Sequence, residues 1–229
     1  MRNRLTDSEH ERDIGYLSET GSARRSLLGS NPAAVFQNRP GGYAEGDLFR
    51  GIRVPALRRL AGHYDTVSLR VISKLLESSF HEDRMLALLI AIRQYRTADE
   101  EGQKALYDFY LDHTECIDNW DLVDVSALHL VGAFLYRRSR EPLYRLAGSP
   151  SLWERRISVV ATFHFIRRND FSETLRIAEM LLDDSEDLIH KATGWMLREI
   201  GKRDRTAEEW FLDRYCLPKI GRASCRERV

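Results

Sequence analysis

Cysteine is scarce in this chain of 229 residues: three, at positions 116, 216 and 225, with no Cys-x-x-Cys pair and no zinc-type spacing. An iron–sulfur cluster, which needs four suitably spaced thiolates, is excluded, and a reducing, cytoplasmic setting is expected. Long apolar runs are missing as well. The longest, residues 85–92, is eight residues, far short of the ~18 of a membrane span, so no membrane association is expected. Residues 1–10 are polar and hold no signal-peptide core. Net charge is absent, with 35 Lys+Arg against 35 Asp+Glu. That balance argues against a protein basic throughout, yet a stripe of cations along one face needs no net charge. No His-Glu-x-x-His zinc motif and no Gly-x-Ser-x-Gly elbow occur. The spacing of Gly41 and Gly46 mimics a phosphate loop, but Asp47-Leu48 stands where Lys-Ser/Thr would be needed.

Helical periodicity fills most of the rest. Residues 54–64, 67–77, 82–95, 101–111, 119–136, 142–147, 152–168, 172–182, 187–202 and 207–215 read as helices, and no stretch alternates as a strand would. Pro55, Pro142 and Pro150 fall at or near first turns, where proline is tolerated. The fold class is all-α. Arg84, Asp124, Arg156 and Lys191 take equivalent places on four helices, 40, 32 and 35 residues apart. That is the scale of HEAT-like two-helix repeats, which stack into an α-solenoid with a concave face lined by second helices. Residues 1–35, interrupted by Gly15, Gly21, Gly29 and Pro32, are expected to form a weakly ordered lead-in to a repeat domain over 36–219. Residues 220–229, Ile-Gly-Arg-Ala-Ser-Cys-Arg-Glu-Arg-Val, match a translated sequencing adapter and are set aside. Without them 32 basic residues face 34 acidic ones, and the repeat domain is expected to be cut short at its C-terminus.

Two short segments carry the chemistry. In Asn119-Trp120-Asp121-Leu122-Val123-Asp124, Trp120 and Asp124 stand one helical turn apart. In the segment from Lys191 to Glu199, Lys191 and Trp195 repeat that spacing, and Arg198 follows three residues on. A tryptophan on a repeat helix is usually core, which is the place expected for Trp153 and Trp210. Trp120 and Trp195 differ because each shares a face with ionic groups. Asp118 and Asp121 suit capping or salt-bridge roles at a helix start, whereas Asp124 lies beyond the first turn. Arg155 and Arg156 point about 100° apart on a helix, so one of them faces the groove squarely, and the repeat register favours Arg156. His129, His164 and His190 lie on separate helices and do not read as a cluster.

The order and spacing of Asn119 to Asp124, Leu152-Trp153-Glu154-Arg155-Arg156 and Lys191 to Glu199 resemble the AlkD-type alkylpurine DNA glycosylases, from about Phe36 to Cys216. The resemblance implies a monofunctional DNA N-glycosylase that hydrolyses the N-glycosidic bond of cationic N3- or N7-alkylated purines in duplex DNA. It gives Asp124 the catalytic carboxylate, with Trp120 and Trp195 packing against the damaged nucleotide. Tyr43, Arg84, Arg155, Arg156, Lys191 and Arg198 become the expected DNA contacts, with Tyr43 supplied by Gly-Tyr-x-x-Gly-Asp. No cofactor or metal is implied; the expected partner is double-stranded DNA containing alkylated bases, met by a monomer in the bacterial cytoplasm at the nucleoid. Two other readings stay open: a non-catalytic DNA-binding relative and a helical-repeat scaffold for protein partners.

Overall fold

The computed structural model describes residues 46–216, so the expectations for Tyr43, for the lead-in 1–35 and for the tail 220–229 lie outside the described residues. Every regular element among the described residues is helical, apart from one isolated parallel bridge between Leu48 and Phe80. The all-α expectation holds. Two compact units divide the chain, Met1–Ser126 and Ala127–Val229.

The first unit is built around the apolar run 85–92. That run is the middle of α3 (His81–Thr97), where Met85 to Ile92 are all buried. A helix apolar on every side needs partners on several sides. They are α1 (Val54–Ala61), α2 (Leu69–Leu76) and α4 (Glu100–Asp112), each packed on α3. Pro55 occupies the first turn of α1, and Asp99 caps α4 by accepting the Gly102 amide at 2.9 Å. A 3₁₀ turn (Thr114–Cys116) then leads to α5 (Trp120–Ala127).

The stretch before α1 is fastened to the start of α3 by consecutive side chains. Glu82, buried, accepts the main-chain amides of Arg50, Gly51 and Ile52 at 2.9, 2.7 and 3.1 Å. Asp83 takes the Arg50 guanidinium through two bonds of 2.9 and 2.8 Å, and that guanidinium lies 3.6 Å over the Phe80 ring. Gly51 has φ +78°, a conformation that only glycine adopts without strain. His81 and Arg84 both reach Asp47.

The second unit opens with a π-helical turn, Leu128–Gly132, followed by α6 (Ala133–Leu135). Then come α7 (Glu141–Ala147), α8 (Leu152–Ala161), α9 (Phe163–Ile166), α10 (Ser172–Met180), α11 (Asp187–Gly201) and α12 (Arg205–Phe211). Helix α8 is central here, packing on α7, α10, α11 and the π turn. Ser151 caps α8 and Asp204 caps α12.

Three helices expected to run unbroken do not; one is 207–215, which passes into a π turn at Leu212–Cys216. The stretch 119–136 widens into the π turn, where Gly132 meets the backbone of Ala161. The stretch 152–168 breaks at Thr162, whose hydroxyl donates to the Val159 carbonyl at 2.6 Å and competes with the helical ladder. Trp210, expected in the packing, is 52% exposed, with its ring edge-on to Tyr215.

Candidate active site

Helix α5 separates its residues by the helical period. Leu122, Val123, Ser126 and Ala127 are buried, while Trp120, Asp121, Asp124 and Val125 are only partly covered. Trp120 and Asp124 therefore share the part-exposed face, as the four-residue spacing implies. Behind them, Ser126 donates to the Leu122 carbonyl at 2.6 Å and meets the Tyr110 hydroxyl at 3.0 Å. Burial pushes the Tyr110 phenol well above its usual range, and the nearby Asp124 carboxylate adds to that effect. The Tyr110 hydroxyl thus stays neutral behind the part-exposed face of α5.

The first turn of α5 rests on buried charge. His81 Nε2 lies 2.8 Å from Asp121 Oδ2, and His81 Nδ1 lies 3.3 Å from Asp47 Oδ2. Arg84 donates to Asp47 at 2.6 Å and reaches Asp118 at 3.3 Å. Burial alone would lower the His81 pKa, but the hydrogen bonds to Asp121 and Asp47 outweigh it and lift it to about 9. Burial likewise works against the Asp47 carboxylate, yet His81 and Arg84 hold it below its ordinary value. Asp118 goes the other way: burial raises it, and the longer Arg84 contact does not compensate. Asp118 and Asp121 thus take the salt-bridge roles expected of them. Asn119, at the helix start, is fully buried, and its side-chain amide hydrogen-bonds to nothing among the described residues.

In the second unit, α11 buries Ile189, Ala192, Thr193, Met196, Leu197 and Ile200, and turns Lys191, Gly194, Trp195 and Arg198 outward. Trp195 is half-buried against Phe163, with ring centroids 5.6 Å apart, and a Cβ placed on Gly194 would meet nothing within 4 Å. Lys191 pairs with Asp187 one turn earlier at 2.6 Å, an exposed contact of little energetic weight. The structure brings Lys191, Trp195 and Arg198 onto one open helix face.

The remaining expected cations are placed differently. Arg84 is only 7% exposed and belongs to the Asp47 network. Arg156 is 5% exposed and donates to the Leu188 carbonyl at 2.5 Å. Arg155 holds Asp184 at 2.6 and 3.3 Å, and also donates to the Ser149 and Pro150 carbonyls. Each ties its helix to a segment about 30 to 40 residues away in the chain. His129 and His164, read as separate, lie within each other's field; burial first, then Arg168, lowers the His164 pKa to about 4. The buried network around His81 had one sequence signal, four consecutive polar residues, His81-Glu82-Asp83-Arg84, opening the helix that holds the longest apolar run.

Among the described residues, no group of three or more His, Cys, Asp or Glu side chains could hold a metal ion, and no helix is long and apolar enough to cross a membrane. The fold is similar to that of a protein described as a predicted DNA alkylation repair enzyme from Enterococcus faecalis. That likeness has a TM-score of 0.61 at 16% identity, covering 84% of this chain and 92% of the other. It is also similar to smu.31 from Streptococcus mutans UA159, with a TM-score of 0.52 at 19% identity over 72% and 85% of the two chains. The sequence matches no curated protein. Its residues 30–227 match the DNA alkylation repair enzyme family, and the chain belongs to that family.

Proposed function

We propose that the chain is a monofunctional DNA N-glycosylase that releases cationic N3- and N7-alkylated purines from duplex DNA. The observation that carries this reading is the pairing of Trp120 and Asp124 on the part-exposed face of α5, with the opposite face locked in the core. An alkylated purine already bears positive charge. When its bond to C1′ breaks, the bonding electrons neutralise the base and leave the sugar as an oxocarbenium ion. Asp124 stabilises that developing charge and aligns water, which adds to C1′ and loses a proton, leaving an abasic site. The indole face of Trp120 adds cation–π attraction to the charged sugar, and Trp195 is a DNA contact on the open face of α11. Lys191 and Arg198 contact backbone phosphates. Arg155 and Arg156 act indirectly, by fixing α8.

The burial of Arg84 and Arg156 shortens the expected row of cations and favours a second reading, a helical-repeat scaffold. Release of 7-methylguanine from methylated duplex DNA, together with duplex binding, decides between them. Release above an enzyme-free blank supports the glycosylase. Binding without release points to a non-catalytic DNA binder, and neither activity points to the scaffold.

A further inference from the structure

Helix α5 has about two turns on which to hold Trp120 and Asp124 in place. Its start carries no side-chain cap from Asn119, whose amide atoms find no partner among the described residues. What reaches the first turn is the imidazole of His81, 40 residues earlier in the chain, bonded to Asp121. Asp121 follows Trp120 directly and precedes Asp124 by three positions. Fixing its carboxylate therefore fixes the rotation of α5 about its own axis, at about 100° per residue.

We propose that His81 is a positioning residue for base release, tying Asp121 on α5 to Asp47 and thereby setting the azimuth of Trp120 and Asp124. This rests on the glycosylase reading above. An imidazole that bonds two carboxylates through both ring nitrogens must donate from both, so it is the imidazolium that forms the tie. Among the described residues it faces Asp121 from α5, Asp47 from the segment before α1 and the Phe49 ring at 5.2 Å, with the Asp118 carboxyl also within its field. Arg84, on the same helix as His81, steadies Asp47 from the other side. The raised His81 pKa agrees with this geometry. Stability is only part of what the network supplies. Among the described residues, Arg84 Nε, Asp118 Oδ1 and Asp121 Oδ1 are buried without hydrogen bonds, Asp118 Oδ1 having only the 3.3 Å ion pair with Arg84, and buried ionic clusters add little stability over apolar packing. Positional definition is the other part, because displacement of a reacting group by about 1 Å lowers rates on the order of 10²-fold.

The test compares the full chain with His81→Phe and Asp121→Asn. Three quantities are measured: single-turnover release of 7-methylguanine, affinity for methylated duplex, and amide hydrogen exchange. For His81→Phe, release falls about 10²-fold, affinity stays within about threefold, and exchange accelerates across residues 121–127 while α1 and α2 keep their protection. Release within about threefold of the parent, or unchanged exchange in α5, overturns the proposal. Should His81→Phe fail to fold, Asp121→Asn decides. It removes one carboxylate from His81, so the alkaline fall in release, against enzyme-free blanks, moves to lower pH. An unmoved limb overturns the tie. A parent that releases no base defeats the glycosylase reading alone, and the exchange comparison still decides whether His81 positions α5.

Discussion

Gly132 lies so close beneath Ala161 that a Cβ at position 132 would stand 2.1 Å from the Ala161 carbonyl oxygen and 2.9 Å from the His164 Cβ. The obstacle is backbone, which cannot swing aside. Gly132→Ala is therefore expected to destabilise the second unit by about 2–3 kcal/mol, in the range of overpacked cores. Urea unfolding followed by circular dichroism measures this; a loss below about 0.5 kcal/mol would show that the π turn yields easily.

Asp124→Asn keeps the shape of the side chain and removes the charge that the oxocarbenium sugar meets. Single-turnover release is expected to fall about 10²–10³-fold, with duplex affinity within a few-fold, because the lost interaction belongs to the transition state. Parallel loss of binding and release would identify Asp124 as structural.

Lys191→Ala and Arg198→Ala act on the exposed face of α11. Each is expected to weaken methylated and unmodified duplex alike and to reduce the slope of log affinity against log salt by about one. Arg155→Ala should behave differently, lowering stability by about 2 kcal/mol through the lost Asp184 bond while leaving the slope unchanged. Equal slopes for all three variants would reverse these assignments.

The two perturbed histidines give stability a pH profile with a maximum. His81 has a raised folded-state pKa of about 9, so its contribution is complete below the ordinary value of about 6.5 and is lost as pH climbs through about 9. His164 is depressed to about 4, so its neutral ring supports the fold above about 6.5 and opposes it as pH falls towards about 4. Unfolding free energy should peak near neutrality. His81→Phe should flatten the alkaline side only and His164→Gln the acid side only. Melts at half-unit pH intervals would show whether each substitution touches its own limb.

The helices were readable because apolar residues recur at the helical period, and the faces of α5 and α11 follow from residue spacing alone. The breaks were not readable. The π turn depends on Gly132 meeting Ala161, a pairing with no local signature. Arg84 and Arg156 lie on helices, as the periodicity implies, but position along a helix does not reveal exposure. Arg84 is buried because Asp47, 37 residues upstream, supplies a counter-charge. His81 and Asp121 became partners for the same reason, across 40 residues of chain. Local pattern carried the elements; contacts between distant residues decided which charges remained available to a ligand.

Glu82 grips the loop at 50–52 by its amides alone. A carboxylate that recognises main chain is indifferent to what the neighbouring side chains are. Gly51 is fixed by its dihedral angle and Arg50 by Asp83, but the side chain of Leu48, 49% exposed, is bound by neither constraint. That position can diverge, or be randomised in the laboratory, while the path of the loop stays the same.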